Sequence, residues 1–232
     1  MKGLLKKDNY RVSLYCFSPP VMIATFIIEM ILAIYTFIKS MKHKSDVGLV
    51  IVLVFLAIFQ LSEYQICEGS SLLLWARIGL FAITFLPVLG YYLITKINKG
   101  SYFAKISFLI AIAFTTYFIL IPESITEVTC SGNYVIIDLN TNLNGLYGYY
   151  YFGFLFLGIY EAIKGINNKK VKDVMKWFII GYLSFILPLT LVYILIPTSR
   201  VAVASIMCGF AVIFAFILTF KIAPIYHECI KK

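Results

Sequence analysis

Four ionisable side chains fall inside long apolar stretches of this chain: Glu29, Glu63, Arg77 and Glu161. A charge at mid-membrane costs about 2.5–3.5 kcal/mol on insertion scales, so such a residue is expected to be paired or functional. Glu63 and Arg77 form the strongest constellation. They flank the polar turn at 68–71 at similar distances, so an antiparallel helical hairpin puts them at nearly the same depth. Gln60, Glu63 and Cys67 share one helical face by spacings of three and four. Arg77 and Thr84, seven apart, share another. Facing each other, these residues make either a structural ion pair that fixes the hairpin or one wall of a ligand or ion cavity. Glu29 has no partner in sequence and must face the interior of a bundle, with structural and functional readings equally open. Glu161, three residues before Lys164, reads as a snorkelling surface pair. The candidate ligand-binding set is therefore Glu29, Gln60, Glu63, Arg77 and Thr84.

The five cysteines give a second expectation. Cys16, Cys67 and Cys130 fall on one side of the topology derived below, Cys208 lies near it, and Cys229 lies on the other. A Cys67–Cys130 disulfide would tie the long loop over the polar turn; the alternative is buried thiols, since connectivity does not follow from sequence. No metal site is expected, because the three thiols are widely spaced and neither His43 nor His227 is on their side. No cofactor is expected either. The run 201–220 contains no lysine, so a retinal Schiff base has no attachment point. No apolar run holds a histidine, and neither G-x-S-x-G nor a P-loop occurs. A catalytic set cannot be named, and the chain reads as a non-enzyme. No internal repeat is evident, which weakens transporter folds built from duplicated halves.

These residues need elements to hold them. The chain of 232 residues is 61% hydrophobic and 13% charged, whereas soluble domains have roughly 45–50% and about 25%. Its apolar residues form runs near 20–38, 47–67, 72–94, 104–121, 149–163, 174–196 and 201–220. Most are close to the roughly 20 residues that cross a bilayer core. The expected fold is an all-α integral membrane protein, a single bundle of seven transmembrane helices, with 122–148 as an extracytoplasmic loop. A weak hairpin signal lies at 129–139. The first run lacks an A-x-A-like cleavage site and is expected to be retained. With the N-terminus outside, 14 lysines and arginines fall inside and 5 outside. That excess orients the chain N-outside, C-inside. The basic N-terminal tail disagrees: it lies along the headgroups, or the first span is misread. The net charge of +9 thus belongs to membrane-facing loops and not to a nucleic-acid surface. Pro87 and Pro188 predict kinks, and Gly148, Gly153 and Gly158 predict close helix packing. Of the 17 tyrosines, those at the ends of the apolar runs are expected at headgroup level.

The run LLLWARIGLFAITFLPVLGYYLITKI, with Trp75, Arg77 and Pro87, resembles the seven-transmembrane N-terminal sensor region of bacterial histidine kinases. The resemblance is confined to a minor part of the chain. No histidine-phosphotransfer segment or ATP-binding domain follows the last apolar run, so kinase activity is not implied. What the resemblance implies is a sensory or ligand-binding module of the cell membrane whose output passes to a separate partner. The expectation is a receptor-like sensor that binds a small ligand in an outward-facing cavity near Glu63 and Arg77. The alternative is a small-solute or ion transporter or channel that uses Glu29 and Glu63. The basic loop GINNKKVKD and the tail would meet anionic lipid or a cytoplasmic partner protein.

Overall fold

The computed structural model describes residues 18–43, 47–98, 102–131, 134–196 and 202–230. The basic N-terminal tail, Cys16 and Arg200 lie outside the described residues, as do the side chains of His43, His227 and Cys229. The long apolar runs form helices α1 (Pro19–His43), α2 (Gly48–Cys67), α3 (Leu72–Ile97), α4 (Tyr102–Leu120), α5 (Thr141–Gly165), α6 (Lys172–Leu195), α7 (Val203–Ile217) and α8 (Ala223–Ile230). Pro19 and Pro20 open α1, where a missing amide hydrogen leaves no helix bond unmade. α7 runs into α8 through one wider π-type turn, Leu218–Ile222. Between α2 and α3 the chain reverses within four residues, through Gly69 at φ +80° and Ser71 at φ +25°.

The helices follow one another around a ring: α1, α2, α3, α5, α6 and α7, with α7 returning to α1 and α2. α4 packs outside the ring on α3 and sends Phe114 and Phe118 against Tyr147 of α5. α2 and α3 are the most enclosed helices, just over half buried, whereas α4 and α6 are 28% buried. Their outward faces are apolar: Leu109 is 65% exposed and Ile194 is 63% exposed. In water such faces would form an apolar patch far larger than a soluble monomer shows. Hydrocarbon solvates them without cost.

Among the described residues, six helices are long and apolar enough to cross a membrane: α1, α2, α3, α4, α6 and the α7–α8 rod. The chain is thus an all-helical bundle of the multi-pass membrane type. α5 has 25 residues, but asparagines and glycines in its first two turns dilute its hydropathy. The helices also overrun the apolar runs. α5 begins at Thr141 and α1 continues to His43. Apolarity marks the stretch that needs hydrocarbon, while a helix continues until its backbone is turned.

The α4–α5 connection carries an antiparallel hairpin, β1 (Ile125–Cys130) and β2 (Val135–Leu139), in which Cys130 pairs with Val135 and Ile125 with Leu139. A short turn, Pro122–Ser124, leads into it. The hairpin lies across the ends of α2, α3 and α5. Of Gly148, Gly153 and Gly158 in α5, only Gly158 is a close contact. A Cβ there would sit 3.1 Å from the Tyr182 hydroxyl, whereas Gly148 and Gly153 face open space. The opposite side of that hydroxyl presses on Gly90 of α3. A helix can carry glycine for room as well as for packing, and spacing alone does not separate the two.

Candidate functional site

The turn between α2 and α3 fixes which residues can meet. Gly79 sits where the helices cross, and a Cβ there would lie 2.5 Å from the Ser62 hydroxyl. Each helical residue advances about 100°, so Glu63 is turned about 100° from Ser62. Arg77 is turned about 200° from Gly79. The two side chains therefore leave the α2–α3 seam in different directions. Among the described residues no ion pair joins Glu63 to Arg77. Arg77 is half-buried, and its Nε has no partner. This corrects the pairing expected from their matched depth: depth along the helices agrees, but rotation about them does not.

Glu63 faces α7 instead, where the Ser205 hydroxyl hydrogen-bonds its carboxyl. The carboxyl is 2% exposed, and Oε1 has no partner. Glu29 of α1 is fully buried within electrostatic reach of Glu63, and neither of its oxygens has a partner. Gln60 is one turn along α2 from Glu63. Its Oε1 meets the Thr25 hydroxyl of α1 at 3.1 Å, and its Nε2 has no partner. The Cys208 thiol of α7 is buried and feels both acids. Glu29, Gln60 and Glu63 are thus brought to one α1–α2–α7 region, which is rich in acceptors and holds no basic group among the described residues.

Thr84 belongs to a different set, between α3 and α5. It donates to the Leu80 carbonyl at 2.6 Å, so the Tyr147 hydroxyl, 3.0 Å away, must donate to it. Tyr150 donates to the Thr84 carbonyl at 2.6 Å. That carbonyl is three residues before Pro87, where the helix lacks a donor. Tyr147, Tyr150 and Tyr151 are 7–8% exposed. Each of the first two hydroxyls finds a polar partner inside the bundle.

The two sets meet at a cavity of about 70 Å³. Glu63, Leu80, Ile83 and Tyr147 form its walls, Ala202 and Ala204 flank it, and Val135, Ile137 and Leu139 of the hairpin roof it. That space exceeds what one water needs, and it is polar enough at Glu63 to hold one. The roof is anchored twice. Cys67 at the end of α2 and Cys130 at the end of β1 form a disulfide, with Cα atoms 5.2 Å apart. The Val135 amide donates to Ser205 Oγ at 3.3 Å. Ser205, Thr25, Tyr147 and Tyr150 had no distinguishing mark in the sequence, since serines, threonines and tyrosines recur throughout the apolar runs. Glu161 pairs with Lys164 at 3.3 Å on the exposed far end of α5, remote from the cavity in sequence and in helix position. No group of histidine, cysteine and acidic residues among the described residues could hold a metal ion. No family model matches the chain, and no curated protein matches it. Its chemistry has to be read from these groups alone.

Proposed function

We propose that the protein is a receptor-like sensor of seven spans, with its N-terminus and hairpin outside, that binds a small ligand in the hairpin-roofed cavity. α5 is the seventh span in this reading, because it sits in the ring between α3 and α6 with the length of the others. The lysine and arginine excess on the side opposite the hairpin supports the orientation. The disulfide supports it too, since such bonds persist in oxidising compartments. One observation carries the reading: the buried Glu63, whose Oε1 has no partner among the described residues, lines a cavity larger than one water needs. A buried polar atom without a partner is costly, and a guest that satisfies it gains that cost back. Signal would pass through the basic loop between α5 and α6 to a separate partner.

The test is native mass spectrometry of protein released from its own membrane. A small bound mass is expected on the wild type and absent from Glu63→Gln, and adding the molecule back should raise the melting temperature of the wild type alone. Equal spectra for the two proteins would remove the reading.

A second reading, a proton-coupled transporter, draws on α1. Its four buried polar residues, Thr25, Glu29, Thr36 and Ser40, share one inward stripe. Thr36 reaches Thr219 in the π-type turn at 3.3 Å, and such turns often mark functional positions. Leu32 and Ala33 interrupt the stripe between Glu29 and Thr36, so passage needs a second conformation. In sealed vesicles, proton uptake driven by a pH step and lost in Glu29→Gln would favour this reading; no uptake by the wild type would exclude it.

A further inference from the structure

The cavity under the hairpin does not end at Tyr147. Ile83, Tyr147 and Ala204 also line a second cavity of about 130 Å³ between α3, α5 and α7. Its other walls are Tyr151, Phe152, Met207 and Val203, and no polar surface faces into it. Tyr151 and Met207 in turn belong to a third space of about 40 Å³, deeper in the bundle at Tyr182 and Cys208. The three spaces share walls in sequence, so a space with an acid at the hairpin end adjoins apolar spaces along the bundle. Gly148 contributes to the middle space by omission, for a Cβ there would meet nothing within 4 Å.

We infer that the ligand is a small amphipathic cation, a primary alkylammonium with its head at Glu63 and its chain in the space between α5 and α7. This rests on the proposal that the cavity binds a ligand. The head chemistry follows from what surrounds Glu63. Glu63 lines the cavity, and its carboxyl has one hydroxyl donor, Ser205, and one oxygen without a partner among the described residues. Among the described residues, no lysine, arginine or histidine lines any of the three spaces. An ammonium brings both the missing donor and the missing positive charge, and a charge-assisted bond to a desolvated acid is the stronger kind. The tail chemistry follows from the walls. A polar chain would bury groups with nothing to bond, whereas each methylene placed there raises affinity about fourfold. The second acid, Glu29, lies within electrostatic reach of Glu63.

The experiment is a thermal-shift and calorimetric titration of the whole protein in lipid nanodiscs with ethylamine, butylamine, hexylamine, hexanol and hexanoate. Affinity should rise along the amine series, with hexylamine at least tenfold tighter than hexanol and hexanoate without effect. Glu63→Gln should bring hexylamine down to the level of hexanol. A Cβ at Gly148 meets nothing within 4 Å and Gly148 lines the apolar space, so Gly148→Leu should weaken hexylamine at least tenfold and leave ethylamine unchanged. Hexanol binding as tightly as hexylamine would overturn the cationic head while leaving the cavity as a ligand site. Equal response of wild type and Gly148→Leu to every amine would overturn the placement of the tail. No binding by any probe would overturn both this inference and the ligand-binding proposal beneath it.

Discussion

Two polar groups of residues lie inside this bundle, and they are built on opposite rules. Between α3 and α5, Thr84, Tyr147 and Tyr150 satisfy one another completely, down to a helix carbonyl near a proline. Between α1, α2 and α7, Glu29, Gln60 and Glu63 keep four buried polar atoms without partners. The first arrangement holds helices in place, since satisfied interior bonds rigidify and specify packing. The second does not stabilise the fold as it stands, since a buried unpartnered group costs about 1–3 kcal/mol and more if charged. A chain keeps such groups for something other than stability, which is why the functional proposal is drawn from the second set alone.

Mutations can break or sharpen that contrast. The largest effect should come from Glu63→Arg, which forces a longer, cationic side chain into a buried site beneath the hairpin roof. A loss of about 3–5 kcal/mol is expected, read as lost folded yield. Adding Arg77→Glu should not rescue it, because the two side chains do not meet; the losses should add within about 0.5 kcal/mol. Rescue by the double reversal would restore the pairing that the helix rotations deny. Next, Cys67→Ser with Cys130→Ser should free the roof. Chain entropy alone sets about 4 kcal/mol for a closed loop of this length, but helices held in lipid already restrict it, so the stability loss should be smaller. Hydrogen exchange in residues 125–139 should accelerate while α2 and α3 stay protected.

Thr84→Val tests the satisfied set. It strands the Tyr147 hydroxyl, and about 1–3 kcal/mol should be lost in the melting curve; Tyr147→Phe added to it should cost little more. Glu29→Gln tests the other set and should leave stability within about 0.5 kcal/mol of wild type or above it, since it removes an acid that nothing pairs. If Thr84→Val proves harmless and Glu29→Gln ruinous, the contrast is the wrong way round. Smallest is Glu161→Ala, worth about 0–1 kcal/mol, because its partner Lys164 is more than half exposed.

The helical bundle was legible because hydropathy reports what a segment needs from its solvent, and that need is strong in α1 to α4. Legibility failed where rotation mattered. Glu63 and Arg77 are at matched depth, yet one residue of helical phase at the Ser62–Gly79 crossing separates them, and no spacing within either helix contains that phase. Glu29, Gln60 and Glu63 were legible as buried polar residues on apolar helices, but their common neighbourhood depends on α7, whose contribution is an ordinary serine. The hairpin was faint because β1 and β2 together have eleven residues and take their position from the helices below.

Ser205 has a consequence of its own. One hydroxyl accepts from the roof at Val135 and gives its hydrogen to the acid below. In such a chain each bond polarises the other. In the proposed sensor, a guest whose donor competes with Ser205 for the carboxyl would make that hydroxyl oxygen a poorer acceptor and loosen the strand tip at the tether that is not covalent. Occupancy deep in the molecule would thereby be reported at the hairpin through a single oxygen atom, with no helix required to move.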